Sequence, residues 1–547
     1  MASNFAYLLD KKGYSEFAQA AVEAEKALAI SPASVAIHAR KALELGVKFI
    51  YSVEPSLTIP YKDNLSALIH NYCFKDMIGL DLFHLIKFIV RLGNVAVHSG
   101  SPVQAEDAIL SLRNLHSFCD WIDYSYSEDY QQVEFDVNIL PKPASESQNK
   151  QQLQKMADAL DKKSQSLEEL KKLNEDLMNQ LQELKQVNIQ QRVFQVDEIS
   201  EAETRNRYID LALMEAGWRI AGAQVKLPNC YTEVPVAGMP NNSGNGYVDY
   251  VLYGQDQMPL AVVEAKKTSV DAMAGSYQAK LYADCLGKQY GRRPLIFTTN
   301  GFEIFYTNDF RQEARRQISG FLTQDELQLE MERRRTRKPL YHIEIDENIT
   351  NRSYQKQAVI TACEDIENHQ RKLLIVQATG TGKTRVSISL VDVLLKHNYV
   401  KNILFLADRT ALVRQAMRNY VDLLPNLTCC NLTENKEDPQ QCRMIFSTYP
   451  TIMNAIDRNR LKDGRRLFTP GHFDLIILDE AHRSVYNKYQ DIFQYFDGML
   501  LGLTATPKSE IDKDTYGVFD LEKGNPTFAY ELEQAVKEHH LVNYTTL

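Results

Sequence analysis

The segment QATGTGKT at 377–384 has the residue types and spacing of a loop that binds nucleotide phosphates. It follows the apolar run KLLIV and precedes RVSISLVDVLLK, whose apolar spacing predicts a helix. Glycines let backbone amides turn towards phosphates, and a helix N-terminus adds a favourable dipole. Lys383 is expected to contact the outer phosphates and Thr384 to ligate Mg²⁺. The other residues expected to line the loop are Thr379, Gly380, Thr381 and Gly382. Gln377 replaces the first glycine of the common pattern, which leaves a plain glycine-containing helix start as an alternative.

Two adjacent carboxylates follow a second apolar run, in LIILDEAH at 475–482. In nucleotide hydrolysis, Asp479 would hold Mg²⁺ and Glu480 would orient or deprotonate the attacking water. Acids at the end of a strand can also cap a helix. A GKT loop followed along the chain by a strand-borne DEAH favours hydrolysis over capping. The two segments together predict a site for ATP and Mg²⁺.

A second group of reactive residues consists of Asp249 in GYVDYVLY and Glu264 and Lys266 in VVEAKK. Side chains two positions apart on a strand share a face, and a neighbouring strand can bring Asp249 to that face. Two carboxylates held close together favour a bound cation, which makes them candidate Mg²⁺ ligands. Lys266 could then stabilise charge on an attacked phosphate. The alternative for this pattern alone is a charged surface strand.

Two flanking segments add residues to this second group. In QAKLY, Gln278 and Tyr282 are one helical turn apart and are expected to point at a common site. In EAETR, Glu203 opens a predicted helix and is a further candidate carboxylate, or only a first-turn acid.

Several domains must position these residues. A chain of 547 residues is too long to fold around one hydrophobic core, so its length predicts a multidomain protein. An all-α module is expected over 1–140 and a coiled-coil or helical arm over 141–195. An α/β domain is expected over 196–345, and an α/β lobe with a parallel sheet over 346–547. The arm is predicted from a heptad seam formed by Leu153, Met156, Leu160, Leu167, Leu170, Leu177, Leu181 and Leu184.

Composition limits the class of protein further. Hydrophobic residues make up 44% and charged residues 24%, which is typical of folded domains. There is no basic start followed by an apolar run and no long apolar stretch, so a cytoplasmic protein without membrane contact is expected. The eight cysteines are scattered and are expected to be reduced. The net charge of −9 does not exclude nucleic acid, because a local basic surface suffices; the runs at 311–316 and 332–338 are candidates, or ordinary solvated helix faces.

The C-terminal part, over roughly 350–510, resembles superfamily 2 helicases and translocases. The likeness consists of RSYQKQA, QATGTGKT, LADRTALVRQ, FSTYPTIM, LIILDEAH and LTATP, in this order. It implies a RecA-like fold in which Gln355 recognises adenine and Arg409 and Thr448 face the nucleic acid backbone. It also implies that Thr504 and Thr506 couple hydrolysis to movement along the strand.

The preceding run of ETR, AGW, VDYVLY, VVEAKK, QAKLY and IFTTNG resembles the nuclease domain of type I restriction motor subunits, within the PD-(D/E)xK group. This resemblance implies metal-dependent cleavage of double-stranded DNA, with separate methylation and specificity subunits as partners. The last residues resemble the crossover towards a second RecA-like lobe. The chain is therefore expected to be an N-terminal fragment of a longer subunit.

The N-terminal module contains RLGNVAVH, in which Arg91 and His98 resemble the R…H pattern of HEPN-like helical domains. These two residues are tentative acid–base candidates, and a hydrogen-bonded structural cluster is the preferred alternative.

The function expected from the sequence is ATP-driven DNA translocation coupled to cleavage. One alternative is a DNA or RNA helicase whose upstream domain only binds nucleic acid. Another is a scaffold protein that uses nucleotide binding as a switch.

Overall fold

The computed structural model describes residues 3–57, 59, 63–98, 103–142, 150–161, 181, 185, 188, 201–222, 225–266, 275–434, 436–458, 466–480, 489–506 and 515–542. These residues form two compact units. The first unit holds the described residues up to Glu215, together with Arg466, and the second holds the others from Ala216 onward.

The first unit is helical, as the apolar spacing of the sequence predicts. Its helices are Ser15–Lys26 (α1), Pro32–Val53 (α2), Leu65–Ile69 (α3), Tyr72–Ile78 (α4), Leu80–His98 (α5), Ala105–Tyr126 (α6), Lys150–Asp161 (α7) and Glu201–Glu215 (α8). Helix α2 begins at Pro32 because the Ser31 side chain accepts a hydrogen bond from the Ser34 amide. Proline suits the first position of a helix, since it has no N–H group that would lack a partner there. Aromatic side chains fill the core between α1, α2, α5 and α6, among them Phe17, Phe49, Phe88 and Phe118.

Helix α8 was expected to belong with 196–345, but the structure places it in the first unit. Its Tyr208 packs against Phe88 of α5 with ring centroids 4.7 Å apart. The Tyr208 hydroxyl also accepts a hydrogen bond of 2.9 Å from Asn114 of α6. Burial of this aromatic face against α5 and α6 decides where the helix packs, and its sequence spacing alone could not indicate the partner.

The predicted arm lies mostly outside the described residues. Its described part begins with α7, where Leu153 is buried. Leu181 and Asn188 are buried too, and the Asn188 side-chain amide donates to the carbonyls of Ser125 and Ser127. Leu167, Leu170 and Leu177 lie outside the described residues, so a coiled coil over 141–195 stays a prediction.

The second unit contains a six-stranded sheet in the order β1-β2-β3-β4-β5-β6. Its strands are Cys230–Ala237 (β1), Asn245–Tyr253 (β2), Pro259–Ala265 (β3), Leu295–Thr299 (β4), Ile304–Thr307 (β5) and Arg316–Ile318 (β6). Only β3 and β4 pair in parallel, and helix Ser276–Tyr290 (α9) connects them. Helix α9 packs on the sheet through Ala279, Ala283 and Leu286, which contact Val262 and Ile296. Helix Gln324–Thr336 (α10) follows the sheet.

The same unit contains a seven-stranded parallel sheet in the order β13-β7-β12-β11-β8-β10-β9. Its strands are Lys372–Gln377 (β7), Ile403–Ala407 (β8), Cys429–Asn431 (β9), Met444–Thr448 (β10), Leu475–Asp479 (β11), Met499–Thr504 (β12) and Phe528–Tyr530 (β13). The accompanying helices are Ser353–Glu367 (α11), Lys383–Lys396 (α12), Thr410–Leu423 (α13), Tyr449–Arg458 (α14), Gln490–Tyr495 (α15), Thr515–Val518 (α16) and Leu532–Lys537 (α17). The central strands are buried along almost their whole length, which explains their uninterrupted apolar runs.

Several arginines of the two basic runs that were candidates for binding DNA form ion pairs. Arg316 of β6 binds Asp497, which precedes β12, at 2.7 Å. Arg333 of α10 binds Asp474, which precedes β11, at 2.6 Å. Arg311 pairs with Glu313 at 3.0 Å. Arg316 and Arg333 therefore link segments of the two sheets, and the partners of all three arginines are carboxylates of the chain itself.

Within the described ranges, no helix is both long and apolar enough to cross a membrane.

Candidate nucleotide and carboxylate–lysine sites

The predicted phosphate loop lies between the end of β7 and the start of α12. Gly380 and Gly382 have φ values of 86° and 93°, in the left-handed region that favours glycine. A β-carbon on Gly382 would lie 2.5 Å from Nε2 of Gln355. The second glycine is therefore required both by the backbone conformation and by the close approach of Gln355.

Two side chains of α11 hold this loop through the same carbonyl. The Gln355 amide and the Tyr354 hydroxyl donate hydrogen bonds of 2.9 and 2.8 Å to the Thr381 carbonyl oxygen. The Tyr354 ring stacks on Tyr530 of β13, with centroids 3.9 Å apart and planes 3° apart. The Ala378 amide donates to the Tyr530 carbonyl at 3.0 Å. No sequence motif indicates Tyr530, because stacking across a sheet edge leaves no local pattern.

The acidic pair lies beside this loop because β11 and β7 both pair with β12 in parallel register. Burial and the neighbouring Glu480 carboxylate raise the pKa of Asp479 to about 6, although Lys383 opposes this shift. The Lys383 ammonium donates to the Gln377 carbonyl at 3.4 Å. Glu480 has a φ of 55°, which is uncommon for a residue with a side chain and places it at a strained turn directly after β11. A carboxylate pair facing a lysine at a phosphate loop suits a nucleotide with Mg²⁺.

The predicted coupling residues follow other strands of the same sheet. Arg409 is exposed at the start of α13, just after β8. Thr448 ends β10, and its hydroxyl is 2.9 Å from that of Thr451. Thr504 ends β12 and accepts a hydrogen bond of 3.2 Å from the Thr506 amide. The carboxyl ends of parallel strands meet at one edge of the sheet, so these residues share the edge that carries the phosphate loop.

The structure brings the second predicted group together, and we call Asp249, Glu264, Lys266, Gln278 and Tyr282 the carboxylate–lysine cluster. Asp249 of β2 accepts a hydrogen bond of 2.6 Å from the Ala265 amide, which places its carboxylate next to Glu264. The Lys266 ammonium donates to Glu264 Oε1 at 2.7 Å and to Gln278 Oε1 at 3.2 Å. The Gln278 amide in turn donates to the Tyr282 hydroxyl at 2.7 Å.

Helix α9 therefore carries the pair Gln278 and Tyr282 that orients Lys266 against Glu264. Glu264 is only 3% exposed, and its partners explain how a charged residue remains there. Glu203 lies on α8, but its side chain is outside the described residues, as is that of His98. Arg91 pairs with Glu215 at 3.3 Å within the helical unit. Among the described residues, no cluster of three or more His, Cys, Asp or Glu side chains could hold a metal ion.

Gly275 is a positioning residue that the sequence analysis missed. A β-carbon there would lie 2.6 Å from Cε of Lys266 and 2.8 Å from Cγ of Glu264. We expect Gly275→Ala to push Lys266 away from Glu264 and to slow the DNA cleavage that the sequence predicts by roughly 10-fold or more, because small displacements in an active site do so. Single-turnover cleavage would measure this effect. Gly222→Ala is the matched control, because nothing lies within 4 Å of its β-carbon, and an equal loss in both variants would contradict the steric explanation.

Two parts of the chain match known family models. Residues 348–509 match the family described as the res subunit of type III restriction enzymes. Residues 22–157 match a domain of unknown function, DUF4145. With the phosphate loop and the acidic pair on a parallel sheet, the first match defines a superfamily 2 helicase-like region.

More particularly, the chain is a relative of the endonuclease (R) subunits of type I restriction enzymes. The EcoAI endonuclease subunit of Escherichia coli is 30% identical over 313 residues, which cover 54% of this chain and 37% of that protein. The EcoKI endonuclease subunit of E. coli strain K12 is 26% identical over 430 residues, covering 63% and 35%. A solved fragment of an HsdR subunit from Vibrio vulnificus YJ016 is 26% identical, covers 62% of this chain and 60% of that one, and has a TM-score of 0.28. The chain spans about a third of the length of these two curated relatives.

Proposed function

We propose that this chain belongs to the restriction subunit of a type I restriction-modification complex, in which ATP-driven translocation along double-stranded DNA is coupled to cutting. The observation that carries the proposal is the convergence of Asp249, Glu264 and Lys266, joined by Gln278 and Tyr282. A charged surface strand would not require this network around a buried glutamate. The convergence also disfavours a helicase whose upstream domain only binds nucleic acid. Methylation and specificity subunits are the proposed partners, by analogy with type I complexes.

Two separate groups of residues would hold magnesium. Asp249 and Glu264 suit a cation at the cutting site, and Thr384 and Asp479 suit one beside the phosphates of ATP. The cation supplies charge that stabilises an attacked phosphate and lowers the pKa of bound water. Lys266, held by Glu264 and Gln278, would donate to a phosphate oxygen. Glu480, at its strained turn after β11, would orient water at the nucleotide.

Ligand removal tests the proposal. The full-length subunit, assembled with its methylation and specificity subunits, should cut circular DNA bearing the recognition site only when both ATP and Mg²⁺ are present. Omitting ATP should stop cutting because translocation stops, and chelating Mg²⁺ should stop both hydrolysis and cutting. Gel analysis of the DNA and release of phosphate would report the two activities. Cutting without ATP would refute the proposal. An absence of DNA-stimulated ATP hydrolysis would also refute it and would favour a scaffold that uses nucleotide binding as a switch.

A further inference from the structure

Arg315 differs from its neighbours in where its side chain lies. Arg311 and Arg316 both pair with Glu313. Among its contacts, Arg315 donates a hydrogen bond from Nη1 to the hydroxyl of Ser276. Its guanidinium carbon also lies 5.5 Å from the ring centroid of Phe305. Ser276 is the first residue of α9, so these two contacts hold Arg315 at the amino end of that helix.

The amino end of α9 adjoins the carboxylate–lysine cluster. Gly275, which precedes the helix, is so close to Lys266 that a β-carbon there would contact the lysine side chain. Lys266 and Arg315 therefore flank the first turn of α9. The backbone amides of a helix start add partial positive charge at the same place. Two cationic side chains and a helix N-terminus together favour an anion.

A row of residues across the sheet connects Arg315 with Glu264. Glu264 of β3 pairs with Thr298 of β4, and Thr298 pairs with Phe305 of β5, on which Arg315 lies. Paired residues on neighbouring strands point to the same face. The face of the sheet that carries Glu264 therefore continues through Thr298 to the arginine.

Thr298 provides an independent indication of a ligand on this face. It is 2% exposed, and within the described part of the chain its hydroxyl has no hydrogen-bond partner. Burying a hydroxyl without a partner is unfavourable, and native structures rarely do so without a bound group or water. A phosphate oxygen, or a water bound to it, beside Glu264 would satisfy this hydroxyl.

We propose that Arg315, Thr298 and the amino end of α9 form a second phosphate-binding subsite, which takes a DNA backbone phosphate next to the one that is cut. The planar guanidinium carries five donors and can hold Ser276 and a phosphate oxygen together. The subsite fixes the DNA strand relative to Asp249, Glu264 and Lys266. This inference rests on the proposed nuclease function.

The test uses Arg315→Ala and Arg315→Lys in the assembled full-length enzyme, with single-turnover cleavage of site-bearing DNA as one readout. Arg315→Ala should cut roughly 10- to 100-fold more slowly, because a charged contact to the backbone is lost, and Arg315→Lys should recover part of the rate. ATP hydrolysis stimulated by DNA should not change. Thr298→Val, which keeps the shape of the side chain, should also slow cutting.

A binding measurement separates contact with phosphate from a structural role. With Mg²⁺ chelated to prevent cutting, the affinity for the same DNA is measured over a range of salt concentrations. Loss of one phosphate contact should reduce the slope of log K against log salt by about 0.9. Arg292→Ala is the control, because Arg292 forms a bidentate pair with Asp256 in the turn between β2 and β3, and its loss should leave the slope unchanged.

Three outcomes decide between the proposals. An unchanged rate and salt slope in Arg315→Ala, while Lys266→Ala is inactive, would overturn the subsite and leave the nuclease assignment standing. An equal loss in Arg292→Ala would show a general loss of stability and would also overturn the subsite. Normal cutting by Lys266→Ala would overturn the nuclease function itself.

Discussion

Lys266→Ala should stop DNA cutting by the assembled enzyme while DNA-stimulated ATP hydrolysis continues at nearly the normal rate. Glu264 and Gln278 hold the lysine ammonium, and under the proposed function this ammonium stabilises charge on an attacked phosphate. Removing one such donor typically costs roughly 10²–10³-fold in rate. The residues of the predicted ATP site lie on the seven-stranded sheet, whereas Lys266 follows β3 of the six-stranded sheet. ATP hydrolysis should therefore not depend directly on Lys266.

Cleavage of site-bearing plasmid and phosphate release, measured in the same reaction, would test this separation. Lys280→Ala is the matched control, because Lys280 is an exposed residue of the same helix α9 that carries Gln278. Normal cutting by the Lys266 variant would refute the catalytic assignment. Loss of cutting in the control as well would indicate that general surface charge, not Lys266, is required.

Lys383→Ala should abolish ATP hydrolysis and, with it, any cutting that depends on translocation. Lys383 begins helix α12 directly after the phosphate loop, and its ammonium already lies against the Gln377 carbonyl of that loop. Under the proposed function this ammonium contacts the outer phosphates of ATP, so a loss of roughly 100-fold or more in turnover is expected. Phosphate release with DNA present measures the effect. Lys372→Ala, at the opposite end of β7, is the control, and brisk turnover by Lys383→Ala would contradict the assignment.

The same variant should change how stability depends on pH. The pKa of Asp479 is raised by burial and by Glu480 to about 6, and Lys383 opposes this shift. Since the folded state then binds the proton more tightly than the unfolded state does, stability from this group falls as pH rises from about 4 to about 6. Without Lys383 the pKa rises further, and the fall in stability should extend to higher pH. Melting temperatures of the nucleotide-free protein across pH would show this shift, and an unchanged profile would argue against contact between the two groups.

Local sequence determined the parts of each site that depend on short-range geometry. Lys383 and Thr384 could be assigned because a phosphate loop requires glycines, a lysine and a hydroxyl in a fixed order between a strand and a helix. Glu264 and Lys266 were placed on one face because strand side chains alternate, and Gln278 and Tyr282 because a helix repeats about every four residues. The helical N-terminal region and the parallel-sheet lobe were predicted for the same reason, since the period of apolar residues differs between helices and strands.

Only the tertiary structure decided which segments meet. Helix α8 packs with the N-terminal helices because Tyr208 fits between Phe88 and Asn114, and its own spacing contains no information about that partner. The arginines at 311–316 resemble a surface for DNA in sequence, yet Arg316 is neutralised by Asp497, far away along the chain. Arg315 and Thr298 gain their significance from neighbouring strands and from the start of α9. Hydrogen bonds, ion pairs and burial depend on long-range contacts, so the chemistry of a residue can be predicted from its own segment but its partners cannot.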